Sequence, residues 1–289
     1  MSKIPRLGII GAENSHSYKI AEICNVHKRV PLRVTHIWGE TAEAAAHAAK
    51  LGAIPHVVSD WSALLGQVDG VMIDHRHGGC HAEVARPFLE AGVPTFVDKP
   101  MTCSLAEARA LCDLAEKRSC PLITFSSKPL QKNFQARLEQ IDRSTVTMFN
   151  ASGPSDLQSK HGGLFFYAIH QVDCAVEVLG TEAESTFLHP SGTNAVATVT
   201  FSGGRIATLN LIADRPAGFH WRFCTSQGDF ALADKNDRIP YLTSARLLAD
   251  FVKNGTVPFS RARMLAPIAI LEALRESHEQ GMPVVIGAQ

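Results

Sequence analysis

Leu7-Gly8-Ile9-Ile10-Gly11-Ala12-Glu13-Asn14-Ser15-His16-Ser17 opens the chain with a short apolar run, a glycine and then several good helix-capping residues. Leu7–Ile10 reads as a buried strand. Ser17–Lys28 reads as a helix, with Ile20, Ile23 and Cys24 on one face, and Leu32–Trp38 as a second β-rich run. Strand, turn, helix, strand is one βαβ unit, and the pattern repeats. Thr41–Leu51 is Ala-rich and helix-prone, with Gly52 to stop it. His56–Val58, Val68–Ile73, Thr95–Val97 and Leu122–Phe125 follow as strands. Asp60–Leu65, Cys80–Ala91 and Leu105–Lys117 lie between them as helices. Strands alternating with helices of this length predict a doubly wound parallel sheet with helices on both faces, the Rossmann arrangement.

Beyond Phe125 the pattern changes. Pro129–Ile141 suits a helix, Thr145–Asn150 a strand, Ser152-Gly153-Pro154-Ser155 a loop and Gly163–Leu179 a long helix. Glu184–Leu188, Ala195–Phe201, Ile206–Ile212, Trp221–Thr225 and Asp229–Leu232 are strands with no helix between them, and Ser202-Gly203-Gly204 is a hairpin turn. Two helices, near Thr243–Lys253 and Arg261–His278, end the chain. The expected architecture is α/β: a Rossmann domain over residues 1–126, then an α+β domain with a mostly antiparallel open sheet over residues 127–289.

Lys+Arg and Asp+Glu are both 28 in 289 residues, without long runs of one sign. This argues against nucleic acid or an acidic membrane as a general partner. Seven scattered cysteines, with no C-x-x-C, suit free thiols in a reducing compartment. With no signal-peptide pattern and no apolar run near the ~20 residues of a membrane span, a cytoplasmic protein is expected.

The turn from Gly8 to Ser17 is where a Rossmann domain receives a dinucleotide pyrophosphate, on backbone N–H groups and a helix N-terminus. Gly8, Gly11, Glu13, Asn14, Ser15 and His16 are therefore candidate cofactor residues. The G-x-G-x-x-G pattern is not met: counting from Gly11, Glu13 and His16 hold the second and third glycine positions. By itself the segment equally suits a strand–turn–helix without a ligand. Glu40, just past the second strand, is the carboxylate available for an adenosine ribose. No arginine follows to take a 2′-phosphate, so NAD is favoured over NADP. Glu40 also suits the start of the next helix, at its positive dipole end.

Three further motifs carry a family resemblance. They are Val68-Asp69-Gly70-Val71-Met72-Ile73 with His81 after it, Val97-Asp98-Lys99-Pro100, and Gly162-Gly163 followed by His170-Gln171-Val172-Asp173. Together, in this order and spacing, they resemble the Gfo/Idh/MocA oxidoreductases, the group of glucose–fructose oxidoreductase and inositol dehydrogenase. The resemblance implies an NAD-dependent dehydrogenase or reductase acting on a sugar, polyol or related small hydroxy/oxo compound, assembled as a homodimer or homotetramer. It makes Lys99 a substrate-binding and proton-relay residue, beside the nicotinamide with Pro100. It makes His170 the general acid/base and Asp173 the residue that orients it or a substrate hydroxyl. Three apart on a helix, His170 and Asp173 also suit a buried pair tying that helix to the sheet. One position departs from the family. Phe166 stands four residues before His170, where the polyol dehydrogenases often carry an aspartate. The other reading that follows is a Rossmann-fold binding or regulatory protein without hydride chemistry.

Asp74-His75-Arg76-His77-Gly78-Gly79-Cys80-His81 gathers three histidines, but its spacing matches no common zinc pattern. A cleft-lining loop is favoured over a metal site or a bland surface loop, with His75 and His81 as candidate cofactor contacts. No metal is expected.

Overall fold

The computed structural model describes residues 3–287. Its helices in chain order are α1 (Ser15–Ala21), α2 (Ala42–Gly52), α3 (His81–Glu90), α4 (Leu105–Arg118), α5 (Lys132–Glu139), α6 (Phe165–Leu179), α7 (Leu242–Asn254) and α8 (Arg261–Gln280). The chain divides into two compact units. The first takes the chain up to Thr102, then Ala106–Phe125 and Arg238–Phe259. The second takes Cys103–Leu105, Ser126–Asp237 and the chain from Ser260 onward.

The first unit is built on six parallel strands: β1 (Arg6–Ile10), β2 (Arg33–Trp38), β3 (His56–Val57), β4 (Gly70–Ile73), β5 (Thr95–Val97) and β6 (Leu122–Ile123). Their order is β3-β2-β1-β4-β5-β6, the doubly wound order expected of a Rossmann sheet. A parallel sheet covered on both faces needs strands that are apolar on both sides. Leu7, Ile9 and Ile10 of β1 and all of β4 are accordingly buried.

Local departures have local causes. The first helix starts at Ser15 and passes into a π turn at Glu22–Val26. Within that turn Asn25 ties β2 to the end of α2: its Nδ2 donates to the Val34 and Gly52 carbonyls at 2.8 and 3.0 Å, and its Oδ1 accepts from the Val34 amide. Gly52 does not stop α2; Ala53, in the left-handed region, does. Gly52 is small because a Cβ there would lie 2.4 Å from that of Ala21, where α1 and α2 meet. Sequence order places 238–259 in the second half of the chain, yet this segment joins the first unit. Val252 of α7 lies against β4 at Gly70, where a Cβ would come within 2.6 Å of it.

The second unit holds a seven-stranded sheet: β7 (Val146–Pro154), β8 (Ala183–Ser191), β9 (Asn194–Phe201), β10 (Arg205–Ile212), β11 (His220–Thr225), β12 (Gly228–Ala233) and β13 (Val284–Val285). The order is β12-β11-β7-β10-β9-β8-β13, antiparallel except for the β7–β10 pair. Ser152-Gly153-Pro154, expected as loop, continues β7. Gly153 is required there because Phe219 fills the space a side chain would occupy. Helix α6 is almost wholly buried against this unit. No helix among the described residues is long and apolar enough to cross a membrane.

Candidate functional site

In the first unit β1 and β4 are neighbours, with strand order running outward in opposite directions from them. This is the topological switch point where open α/β sheets bind ligands. The segments leaving β1, β4 and β5 meet there. Gly11 makes the first turn possible. Its φ is +112°, its amide donates to the Trp38 carbonyl at 3.0 Å, and a Cβ would lie 2.5 Å from the Asp74 backbone. Only glycine suits this combination.

Beyond Gly11 the amides of Ala12 and Glu13 donate to Glu40 Oε2, at 2.8 and 3.2 Å. Glu40 Oε1 is buried and has no hydrogen-bond partner among the described residues. Glu13 itself is exposed and Ser15 half-buried. Asn14 caps α1, accepting from the His16 amide at 3.4 Å, and the Ser17 hydroxyl donates to the Asn14 carbonyl.

His16 and Asn14 turn inward onto two carboxylates. His16 Nδ1 lies 3.1 Å from both oxygens of Asp98 and 3.9 Å from Asp74 Oδ1. Asn14 Nδ2 donates to Asp74 Oδ1 at 2.9 Å and to Asp98 Oδ2 at 3.1 Å. Lys99, 7% exposed, brings Nζ to 3.9 Å from Asp98 Oδ2. Burial, and then the nearby Asp98 charge, push the Asp74 carboxyl well above its usual range. Burial alone would also raise Asp98, but His16 and Lys99 hold it below its ordinary value. The Lys99–Pro100 peptide is cis.

Three of the expected cofactor contacts take other roles. Gly8 is a packing glycine inside β1, where a side chain would overlap Leu64 and Val68. His81 is fully buried with both ring nitrogens on carbonyls: Nδ1 lies 2.9 Å from Pro100 O and Nε2 3.0 Å from His75 O. It ties the loop after β4 to the one after β5. Burial lowers its pKa against the pull of those carbonyls. His75 is buried between the Trp38 and His81 rings, and burial, with His81 beside it, lowers its pKa to about 4. It is therefore a neutral wall.

In the second unit α6 carries His170 and Asp173. His170 Nδ1 lies 2.8 Å from Ser126 Oγ, and its ring meets Phe219 and Tyr167 edge-on. Asp173 does not bond His170. Its Oδ2 accepts from the Ser126 amide at 2.9 Å and its Oδ1 from Arg263. The expected His–Asp partnership thus runs through Ser126. Phe166 packs against His161 and Tyr167. Lys128 pairs with Asp234 and lies over the Phe219 ring. The sequence offered no signal for Ser126 or Arg263, which act on α6 from distant segments. Asp74 and Asp98 stood within quoted motifs without a role.

The residues at the switch point fit a dinucleotide. The Gly11 turn carries no side chain, and Glu40 Oε1 is a buried acceptor lacking a donor, the complement of a ribose hydroxyl. That combination, on this strand order, defines the class of dinucleotide-binding α/β proteins.

Residues 5–126 match the family model GFO_IDH_MocA, described as an oxidoreductase family with an NAD-binding Rossmann fold. That segment is similar to the NAD-binding domain of the Gfo/Idh/MocA oxidoreductases. Solved structures align along the whole chain. GenD2 of gentamicin A biosynthesis, in complex with NAD, is similar at TM-score 0.86 and 16% identity, over 100% of this chain and 98% of that one. The scyllo-inositol dehydrogenase of Lactobacillus casei, with NAD(H) and scyllo-inositol bound, gives 0.85 and 14%, over 99% and 100%. A probable dehydrogenase of Thermotoga maritima gives 0.84 and 16%, over 97% and 98%. At such identities the likeness is one of fold.

Proposed function

We propose that this chain is a dehydrogenase or reductase that uses NAD, rather than NADP, on a sugar, polyol or related small hydroxy/oxo compound. The observation that carries the reading is the Gly11 turn with the open oxygen of Glu40 at the end of β2. Bound NAD would supply hydride transfer at its nicotinamide. The side-chain-free turn at Gly11 would let the phosphates pass close, and Glu40, with one oxygen on the Ala12 and Glu13 amides, would offer the other to the adenosine ribose. Asn14, Ser15 and His16 would border them.

Lys99 is the residue assigned to the substrate. Its ammonium is a three-proton donor held by a buried carboxylate, suited to bind a substrate oxygen and to give or take its proton. His170 is the second acid–base candidate. Ser126 fixes its ring on one nitrogen. Asp173 serves as a positioning residue through Ser126. Inositol substrates of similar structures support a polyol, although Phe166 makes the first turn of the helix that carries His170 more apolar. Seven free cysteines support a reducing, cytoplasmic setting, and the family resemblance supports a homo-oligomer.

The test is titration with NADH and NADPH, read as quenching of the three tryptophans, followed by a screen of sugars and polyols with wild type and Lys99→Ala. Saturable NADH binding tighter than NADPH, with turnover abolished in Lys99→Ala, is expected. Absence of binding at millimolar NADH, or wild-type turnover by Lys99→Ala, overturns the reading.

A further inference from the structure

We propose that His16, Asp74 and Asp98 form a site for one divalent transition-metal ion of the Mn2+ or Zn2+ class, with Asn14 as a fourth ligand. Each of the three offers a ligand atom, and all of these lie within 4.8 Å of one another. They come from three different segments of the first unit: the first turn of α1, the end of β4 and the end of β5. A cluster drawn from two strand ends and the start of the helix that follows β1 is held by the sheet, as a rigid ion site must be.

The charge balance points the same way. Asp74 is 0% exposed and Asp98 3%. Two carboxyl groups brought together out of water are costly to ionise unless a cation lies with them. Lys99 contributes one positive charge, at 3.9 Å from Asp98. Asp74 Oδ2 has no hydrogen-bond partner among the described residues. A fully buried carboxylate oxygen without a donor is the feature a metal ion supplies. The Asn14 Nδ2 group sits between the two carboxylates, 2.9 and 3.1 Å from them. A half-turn of that amide presents its oxygen instead, exchanging these two bonds and the 3.4 Å bond from the His16 amide for a place on the ion.

The donor set selects the ion class. One imidazole with carboxylate and amide oxygens suits Mn2+ or Zn2+; Mg2+ and Ca2+ prefer oxygen alone. The histidine-rich segment 75–80 is not involved. Asn14 and His16 also border the proposed dinucleotide, so the test uses the metal alone, with no nucleotide present.

The full chain, stripped with EDTA and desalted, is titrated with MnCl2 while free Mn2+ is followed by electron paramagnetic resonance. ZnCl2 is measured by its competition, and MgCl2 serves as comparison. The expected result is one equivalent of Mn2+ with Kd below roughly 100 µM, displaced by Zn2+ and not by equimolar Mg2+. Asp74→Asn and His16→Ala each weaken it by roughly tenfold or more, while the exposed Glu43→Gln leaves it unchanged. Circular dichroism checks the fold. If the buried Asp74→Asn fails to fold, His16→Ala, at the cluster's more open side, carries the test. No saturable Mn2+ binding to wild type up to millimolar, or equal binding by folded His16→Ala, overturns the site.

Discussion

The Ser126 hydroxyl oxygen lies 2.8 Å from His170 Nδ1, and the amide of the same residue donates to Asp173 at 2.9 Å. One buried serine thus holds both polar residues of α6 that the sequence motif singles out. The Lys128 amide donates to the Ser126 oxygen at 3.1 Å, which leaves the serine proton for the imidazole and the ring's own proton on Nε2. Ser126→Ala strands a buried ring nitrogen and a backbone N–H. It is expected to cost about 1–3 kcal/mol, read as a lower melting temperature. An unchanged melting temperature would show that the hydroxyl holds nothing.

Asp173 depends more heavily on Arg263. The two side chains are mostly buried, and Glu177 adds a second, longer contact at 3.4 Å. Removing one partner of a buried ion pair leaves the other charge uncompensated. Arg263→Met is therefore expected to lower unfolding stability by about 3–5 kcal/mol in urea titrations. The double variant Asp173→Asn with Arg263→Met should regain part of the loss. A single variant within about 1 kcal/mol of wild type would place this pair with weak surface bridges instead.

The strand–helix alternation made the first sheet legible, because apolar runs of strand length between helices leave few other arrangements. The antiparallel character of the second sheet was legible from successive β-rich runs. Pairings across the chain were not. His16 and Asp98 stand 82 positions apart and meet only because parallel strands bring their ends together. Asp74 was visible, but as one polar residue in a histidine-rich loop. Nothing local says that Gly11 presses on its backbone. Likewise α7 has an ordinary amphipathic sequence, and only the missing side chain at Gly70 makes room for Val252. Gly153, expected in a loop, lies in β7 and admits Phe219.

The turn after β1 leaves no room for repair. Gly11→Ala places a Cβ 2.5 Å from backbone atoms of Asp74, at a φ that side chains disfavour. The backbone conformation alone costs about 1–3 kcal/mol. The variant is expected to melt lower than wild type and to lose NADH binding. Tight NADH binding by Gly11→Ala would move the dinucleotide away from this turn.

Glu40 separates binding from folding at the same place. In Glu40→Gln the amide oxygen still accepts from the Ala12 and Glu13 amides, so the turn survives. The charge offered to the ribose does not. NADH affinity is expected to fall roughly tenfold, with little change in melting temperature. If titration gives the wild-type Kd, Glu40 serves the turn and not the ribose.

Alkaline pH should find a weak point at Cys24. Its side chain is 4% exposed, and burial pushes its thiol up to about 12. An unfolded thiol ionises near 8.5. Between those values the folded state keeps a proton that the unfolded state has lost, so stability falls as pH rises. Cys120, pushed up to about 11, adds to the slope in the same direction. Cys24→Ala loses packing at every pH and is less stable than wild type near pH 8. It has no thiol to ionise, so its stability declines less. From pH 9 to 11 the gap between the two proteins is expected to narrow by about 2–3 kcal/mol, measured as urea unfolding free energies. Parallel curves over that range would mean that Cys24 titrates alike in both states, and that burial does not hold its proton.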